Sequence, residues 1–151
     1  MRRSARQLGL VLALAFVSQA EGARAEQTTL GAELSCAKIA GPGRIVCELR
    51  ATTTSARLVW ADALVVNAPA FARPLRSRVA LQLEAGTSAA SSKLALVGSA
   101  PGKGELTVLV RAVLCHGAPS GEVCRPETRR VTTEVEVGAP VPAPEPAPPA
   151  P

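Results

Sequence analysis

The side chains from which chemistry could be built are few in this 151-residue chain: Cys36, Cys47, Cys115 and Cys124, the single histidine His116, and Asp62, the only aspartate. The densest group is Cys115, His116 and Cys124, set in LTVLVRAVLCHGAPSGEVCRPETRRVTTEVEV over residues 106–137. Two thiols flanking a turn can close a bridge, exchange with a partner's disulfide or, with His116, bind a soft metal. Other chemistries drop out by elimination. His116 has no orienting acid at a known spacing for serine–histidine catalysis. Haem attachment needs a cysteine where Ala112 stands. No glycine-rich phosphate loop opens a helix, and no acidic run resembles a calcium loop. Met1 is the only methionine, which excludes a methionine-rich copper handler. With Asp62 as the lone aspartate, a paired-carboxylate site is hard to assemble. No cofactor and no resident metal are expected, and the Cys115/Cys124 pair is what remains.

The elements that position this pair are strands. Leu106, Val108, Val110, Ala112 and Leu114 alternate with Thr107, Leu109, Arg111 and Val113, and Val131, Thr133, Val135 and Val137 alternate with Thr132, Glu134 and Glu136. Gly117, Pro119, Ser120 and Gly121 lie between the two runs and supply turn dihedrals, so the stretch is a hairpin with a cysteine at each mouth of its loop. Cys36 and Cys47 are symmetric about Gly41-Pro42-Gly43. If the loop is Ala40 to Gly43, they fall at a non-hydrogen-bonded antiparallel pair, where opposed side chains approach most closely; a Gly41-Pro42 turn puts them at a hydrogen-bonded pair instead. Cys36–Cys47 is read as a structural bridge.

Further strands are expected over residues 57–66, with Trp60 in the core or at its edge, over 76–84, with Ser77, Val79, Leu81 and Leu83 inward, and over 93–97. Residues 67–74, with Pro69 and Pro74, form a loop that moves the chain between sheets. About seven strands with a turn every ten or so residues give an all-β fold, an immunoglobulin-like two-sheet sandwich, with a small closed barrel as the alternative. Residues 26–138 make the domain. Its core must be aliphatic, since Trp60 and Phe71 are the only aromatics after residue 25.

Residues 1–25 read as a secretory signal peptide. Arg2, Arg3 and Arg6 precede an apolar run over 8–17, too short for a membrane span, and Ala23-Arg24-Ala25 is an A-x-A site, with Ser18-Gln19-Ala20 as the second choice. Removing it takes Arg2, Arg3, Arg6, Arg24 and Glu21, so 17 basic and 12 acidic residues become 13 and 11 and the net charge falls to +2. That balance and the scarcity of aromatics argue against a nucleic-acid partner; Arg73, Arg76 and Arg78 read as a solvated face. An exported chain with four cysteines and residence in the periplasm or outside the cell fits two disulfides. Residues 139–151, proline- and alanine-rich, read as an extended tail. No stable membrane insertion is expected once the signal is cleaved.

Residues 110–131 are similar to part of the periplasmic N-terminal domain of the bacterial thiol:disulfide interchange protein (DsbD type): a strand, a cysteine, a glycine-containing loop, then Cys124-Arg125-Pro126-Glu127-Thr128 and Val131. The resemblance implies an immunoglobulin-like carrier domain whose hairpin cysteines, here Cys115 and Cys124, take electrons from a membrane partner and pass them to periplasmic thiol proteins. Phe71 is the one candidate for that family's aromatic cap. On this reading Arg111 and Arg125 would lower a thiol pKa, with Glu122 and Glu127 opposing. The chain is thus read as an exported thiol-disulfide exchange carrier with a thiol-bearing protein partner. The alternative is a non-catalytic, disulfide-stapled binding or envelope accessory module.

Overall fold

The computed structural model describes residues 29–86, 88–117 and 120–139. The expected signal peptide over 1–25 and, from residue 140 onward, the expected tail lie outside the described residues. In chain order the strands are β1 (Leu30–Cys36), β2 (Gly43–Thr53), β3 (Arg57–Asn67), β4 (Ala72–Pro74), β5 (Arg78–Ala80), β6 (Gln82–Leu83), β7 (Ala89–Gly98), β8 (Gly102–His116) and β9 (Val123–Val137). One sheet runs β1-β2-β7-β4, with β6 also on β7, and the other runs β5-β3-β8-β9; every strand pair is antiparallel. With β1, β2, β7 and β4 in the places of A, B, E and D, and β3, β8 and β9 in those of C, F and G, this is the immunoglobulin-like order, with β5 added beside C.

Alternation explains the core. Ile45, Cys47, Leu49 and Ala51 of β2 face Leu106, Val108, Val110, Ala112 and Leu114 of β8 across the sandwich, all buried. The edges β1 and β9 meet at one side. Ile39 forms a parallel bridge to Val137, donating its N–H to the Glu136 carbonyl at 3.3 Å and accepting from Gly138 N–H at 2.7 Å, while Lys38 pairs with Glu136 at 2.7 Å. Phe71 packs onto β8 at its beginning: a Cβ on Gly102 would stand 2.6 Å from the ring, so only glycine fits there.

Four expectations need correction. Residues 67–74, expected as a loop, do carry the chain between sheets but end in the short strand β4, which pairs with β7. The single strand over 76–84 is two short ones, β5 in one sheet and β6 in the other, because the chain crosses between sheets at Leu81, whose N–H donates to Ala61 carbonyl; Leu83, expected inward, is exposed at the sheet edge. The strand over 93–97 runs longer, from Ala89 to Gly98, because β2 pairs with its whole length. Trp60 is 42% exposed rather than core. A bulge between Leu58 and Trp60 shifts the alternation, so that Ala61 and Ala63 turn inward while Trp60 and Asp62 fall on the outer face.

Asp62 is nevertheless only 2% exposed, because two arginines close over it. Arg111 donates Nε–H to Oδ1 at 2.8 Å and its NH2 group to Oδ2 at 2.5 Å; Arg78 of β5 donates to Oδ2. The Arg111 guanidinium also lies 5.9 Å from the Trp60 ring centroid. This clamp ties the short β5 to the sheet. Arg111 and then Arg78 hold the Asp62 carboxyl below its ordinary range against the opposing effect of burial. A lowered folded-state pKa contributes stability that is present above the unfolded value and lost as pH falls through the folded one. Asp62→Asn is expected to cost about 2–3 kcal/mol at neutral pH in urea unfolding. The gap to wild type should close as the pH drops below about 4.

Candidate functional site

The β8–β9 hairpin brings Cys115 and Cys124 opposite each other, and they are bridged with a Cα–Cα distance of 3.9 Å. The ladder says why this position suits a bridge. Glu136 C=O and Gly138 N–H both point to the free side of β9, toward Ile39, so the even-numbered residues of β9 direct their backbone groups away from β8. Cys124 is one of these, which places it in a non-hydrogen-bonded pair with Cys115. Pro126 is another, so its missing N–H removes no ladder bond, the position at which an edge strand tolerates proline. Gly117, in the left-handed region with φ of 101°, begins the turn that closes the hairpin.

Cys115 continues the outward-facing set of β8, on the same face as Arg111 and Val113, while Leu114 is packed inward. It is 3% exposed, whereas Cys124 is exposed. Arg57 of β3 lies opposite Cys115 on its other side. Its guanidinium grips Glu122 with both nitrogens, Nε to Oε1 at 3.0 Å and NH2 to Oε2 at 2.6 Å, and this pairing holds the Glu122 carboxyl below its ordinary range. A Glu122 carboxylate oxygen and the two sulfurs all lie within 4.8 Å of one another.

The structure sorts the charged residues differently from the sequence. Arg111, expected beside the thiols, is committed to Asp62. Arg125 and His116 belong to the opposite face of the hairpin from the bridge, because side chains alternate along a strand. The sulfur-bearing face therefore gains Glu122 and Arg57, not His116, as polar neighbours. Glu127, within the Pro-Glu-Thr segment, accepts from Leu30 N–H at 3.2 Å and Thr29 Oγ1–H at 3.4 Å, which fastens the start of β1 to β9. Phe71, the candidate cap, sits over Gly102 at the opposite end of β8 from Cys115. Sequence reasoning missed Arg57 and the partners of Asp62. The lone aspartate inside the apolar run RLVWADALVV was a signal that a cation must cover it.

The second bridge is set differently. Cys36 and Cys47 pair in register with a Cα–Cα distance of 3.9 Å, and Ala37 N–H donates to Val46 carbonyl at 3.0 Å. That bond makes 37 and 46 the hydrogen-bonded pair and 36 and 47 the non-hydrogen-bonded one, the register expected for the four-residue loop. Cys47 is fully buried in the core cluster and Cys36 packs against it. Both bridges fit a chain that resides in an oxidising compartment.

No protein-family model matches the chain, and no curated protein matches it. Among solved structures it is similar to AggA, the major subunit of aggregative adherence fimbriae type I from Escherichia coli, with 13% identity, 72% of this chain and 95% of that chain covered, and a TM-score of 0.34. The fold assignment rests on the strand order itself.

The two bridges close loops of similar length, with separations of 11 and 9 residues, so their loop-closure contributions are nearly equal, about 2–3 kcal/mol each. They differ in what else is lost. The double replacement of Cys36 and Cys47 by alanine empties core volume and is expected to destabilise by about 1 kcal/mol more than the same replacement of Cys115 and Cys124. Urea unfolding of the two double variants measures the difference.

Proposed function

We propose that the chain is an exported thiol-disulfide exchange carrier in which Cys115–Cys124 is the exchanging bridge and Cys36–Cys47 is a structural one. The observation that carries this reading is the contrast between the bridges: Cys47 lies inside the core, whereas Cys124 is exposed at the hairpin mouth on the outer face of its sheet. An incoming partner thiolate attacks the Cys124 sulfur, the S–S bond breaks, and the Cys115 thiolate leaves. The partner's second thiol then attacks the mixed disulfide and releases Cys124, so two electrons pass from partner to carrier. The reverse sequence passes them on to the disulfide of a further protein.

Glu122 sets the direction of that traffic. A carboxylate beside a thiol disfavours the thiolate, and a pair whose thiolates are disfavoured is the better electron donor. Arg57 moderates the effect, since it already shares its charge with Glu122. The thiol:disulfide interchange resemblance around residues 110–131, together with the immunoglobulin-like order, supports the same reading. A second reading is a non-catalytic, stapled binding or envelope accessory module. It is favoured by the structural use of the hairpin's acids, Glu122 on Arg57 and Glu127 on Thr29 and Leu30.

Single replacements separate the two. In Cys115→Ser the remaining Cys124 should form a mixed disulfide with oxidised glutathione at least about tenfold faster than Cys115 does in Cys124→Ser, because thiol reactivity follows access. The reduced wild-type protein should pass electrons to oxidised glutathione faster than free cysteine does. Equal, slow trapping of both variants, with transfer no faster than free cysteine, would leave the stapled module as the function.

A further inference from the structure

The outer face of the hairpin collects an unusual donor set. Two sulfurs from neighbouring strands and a carboxylate oxygen from the loop that joins them all lie within 4.8 Å of one another, and among the described residues β9 is the last strand of its sheet on the side of Cys124. Oxidised, the sulfurs are spent on each other. Reduced, two thiols and the Glu122 carboxylate would occupy one small volume, with the Arg57 guanidinium bonded to both carboxylate oxygens.

We propose that opening the Cys115–Cys124 bridge creates a metal site, in which the two thiolates and the Glu122 carboxylate hold a Zn2+ ion. This rests on the exchange reading only in needing the bridge to open in the folded protein. Two ligands on a tetrahedral zinc stand roughly 3.3–3.8 Å apart, so modest side-chain rotations bring all three donors onto one ion. The Cα–Cα distance of 3.9 Å keeps both cysteines within reach of a shared ion without movement of the strands. The donor chemistry selects the metal: two soft sulfurs with one hard oxygen suit the borderline Zn2+ better than Cu(I), which favours thiolate and thioether alone, or Mg2+ and Ca2+, which favour oxygen alone. His116 is not a ligand, because alternation sets it on the other face of β8. Water takes the fourth position.

Arg57 is the positioning residue. By gripping both oxygens of Glu122 it fixes the carboxylate's position beside the sulfurs, as an outer hydrogen-bond partner does at metal centres. The steps balance. A dithiol or phosphine reductant supplies two electrons and is itself oxidised, two protons arrive at the sulfurs, and Zn2+ then displaces those two protons to solvent while Glu122 remains a carboxylate. A zinc-loaded pair cannot attack a partner's disulfide, so the metal holds the carrier out of exchange until it is chelated or the thiols are oxidised.

The test titrates Zn2+ into the mature protein after reduction by an immobilised phosphine, against a chromophoric chelator, without oxygen. Alkylation mapped by mass first reports whether Cys115 and Cys124 are reduced while Cys36–Cys47 stays closed. The reduced protein should take up one Zn2+ that the oxidised protein does not, Zn2+ should slow alkylation of the pair, and Glu122→Gln should weaken binding at least about tenfold with the fold unchanged by circular dichroism. Uptake by the reduced protein no greater than by the oxidised one overturns the site, as does undiminished binding by Glu122→Gln. If the pair reduces readily and no zinc is held, this inference alone falls; if the bridge opens only on unfolding, the exchange reading falls with it.

Discussion

The constraint on which the structure depends is a core without aromatic bulk. Its largest fully buried side chains are Ile45, Leu49, Leu58, Leu94, Leu96, Leu106 and Leu114, with valines between them, and Phe71 only borders the cluster. Aliphatic side chains bury less area each than rings do, so two sheets packed on this core alone would be marginally held. Cross-links at the two ends of the strand order supply what packing lacks: Cys36–Cys47 staples the β1–β2 hairpin and Cys115–Cys124 the β8–β9 hairpin. Non-covalent ties follow the same logic. Glu127 fastens the beginning of β1, Ile39 fastens the chain just after its end, and Asp62 with two arginines fastens β5.

The two staples are chemically alike and differ in surroundings. One is part of the core, and the other stands on an outer face with an exposed sulfur and a clamped carboxylate beside it. A thiol chemistry confined to one bridge would need the domain to survive its opening, and the position of Cys115–Cys124 outside the packed cluster is compatible with that. On the proposed reading, exchange and metal capture would draw on the same three side chains, Cys115, Cys124 and Glu122.

Much of this was legible in the residues. Period-two alternation over 106–114 and over 131–137 shows which face is buried, because one face is apolar throughout in the first strand and is interrupted only by Thr133 in the second. The symmetry of Cys36 and Cys47 about Gly41-Pro42-Gly43 points to their pairing, whereas their hydrogen-bonding parity depended on the loop length and follows from the Ala37 N–H to Val46 carbonyl bond. The stretch from 67 to 84 was not legible in detail. Its strands are two or three residues long and hop between sheets, so their places follow from the partners β3 and β7 rather than from any local pattern. Trp60 was misplaced for a similar reason: the bulge after Leu58 reverses inside and outside, and nothing in RLVWADALVV marks it except the aspartate two residues later. The site was half legible. Spacing singles out the two cysteines, but only the folded loop brings Glu122 to their face and leaves His116 on the other.

The most direct measurement of the central claim is the redox equilibrium of each bridge in the folded protein, poised in dithiothreitol or glutathione buffers and read by alkylation and peptide mass. Cys115–Cys124 is expected to open while the domain remains folded, at a potential above about −300 mV, with Cys36–Cys47 still closed. Two bridges that resist together until the domain unfolds would contradict it, and would identify both as staples.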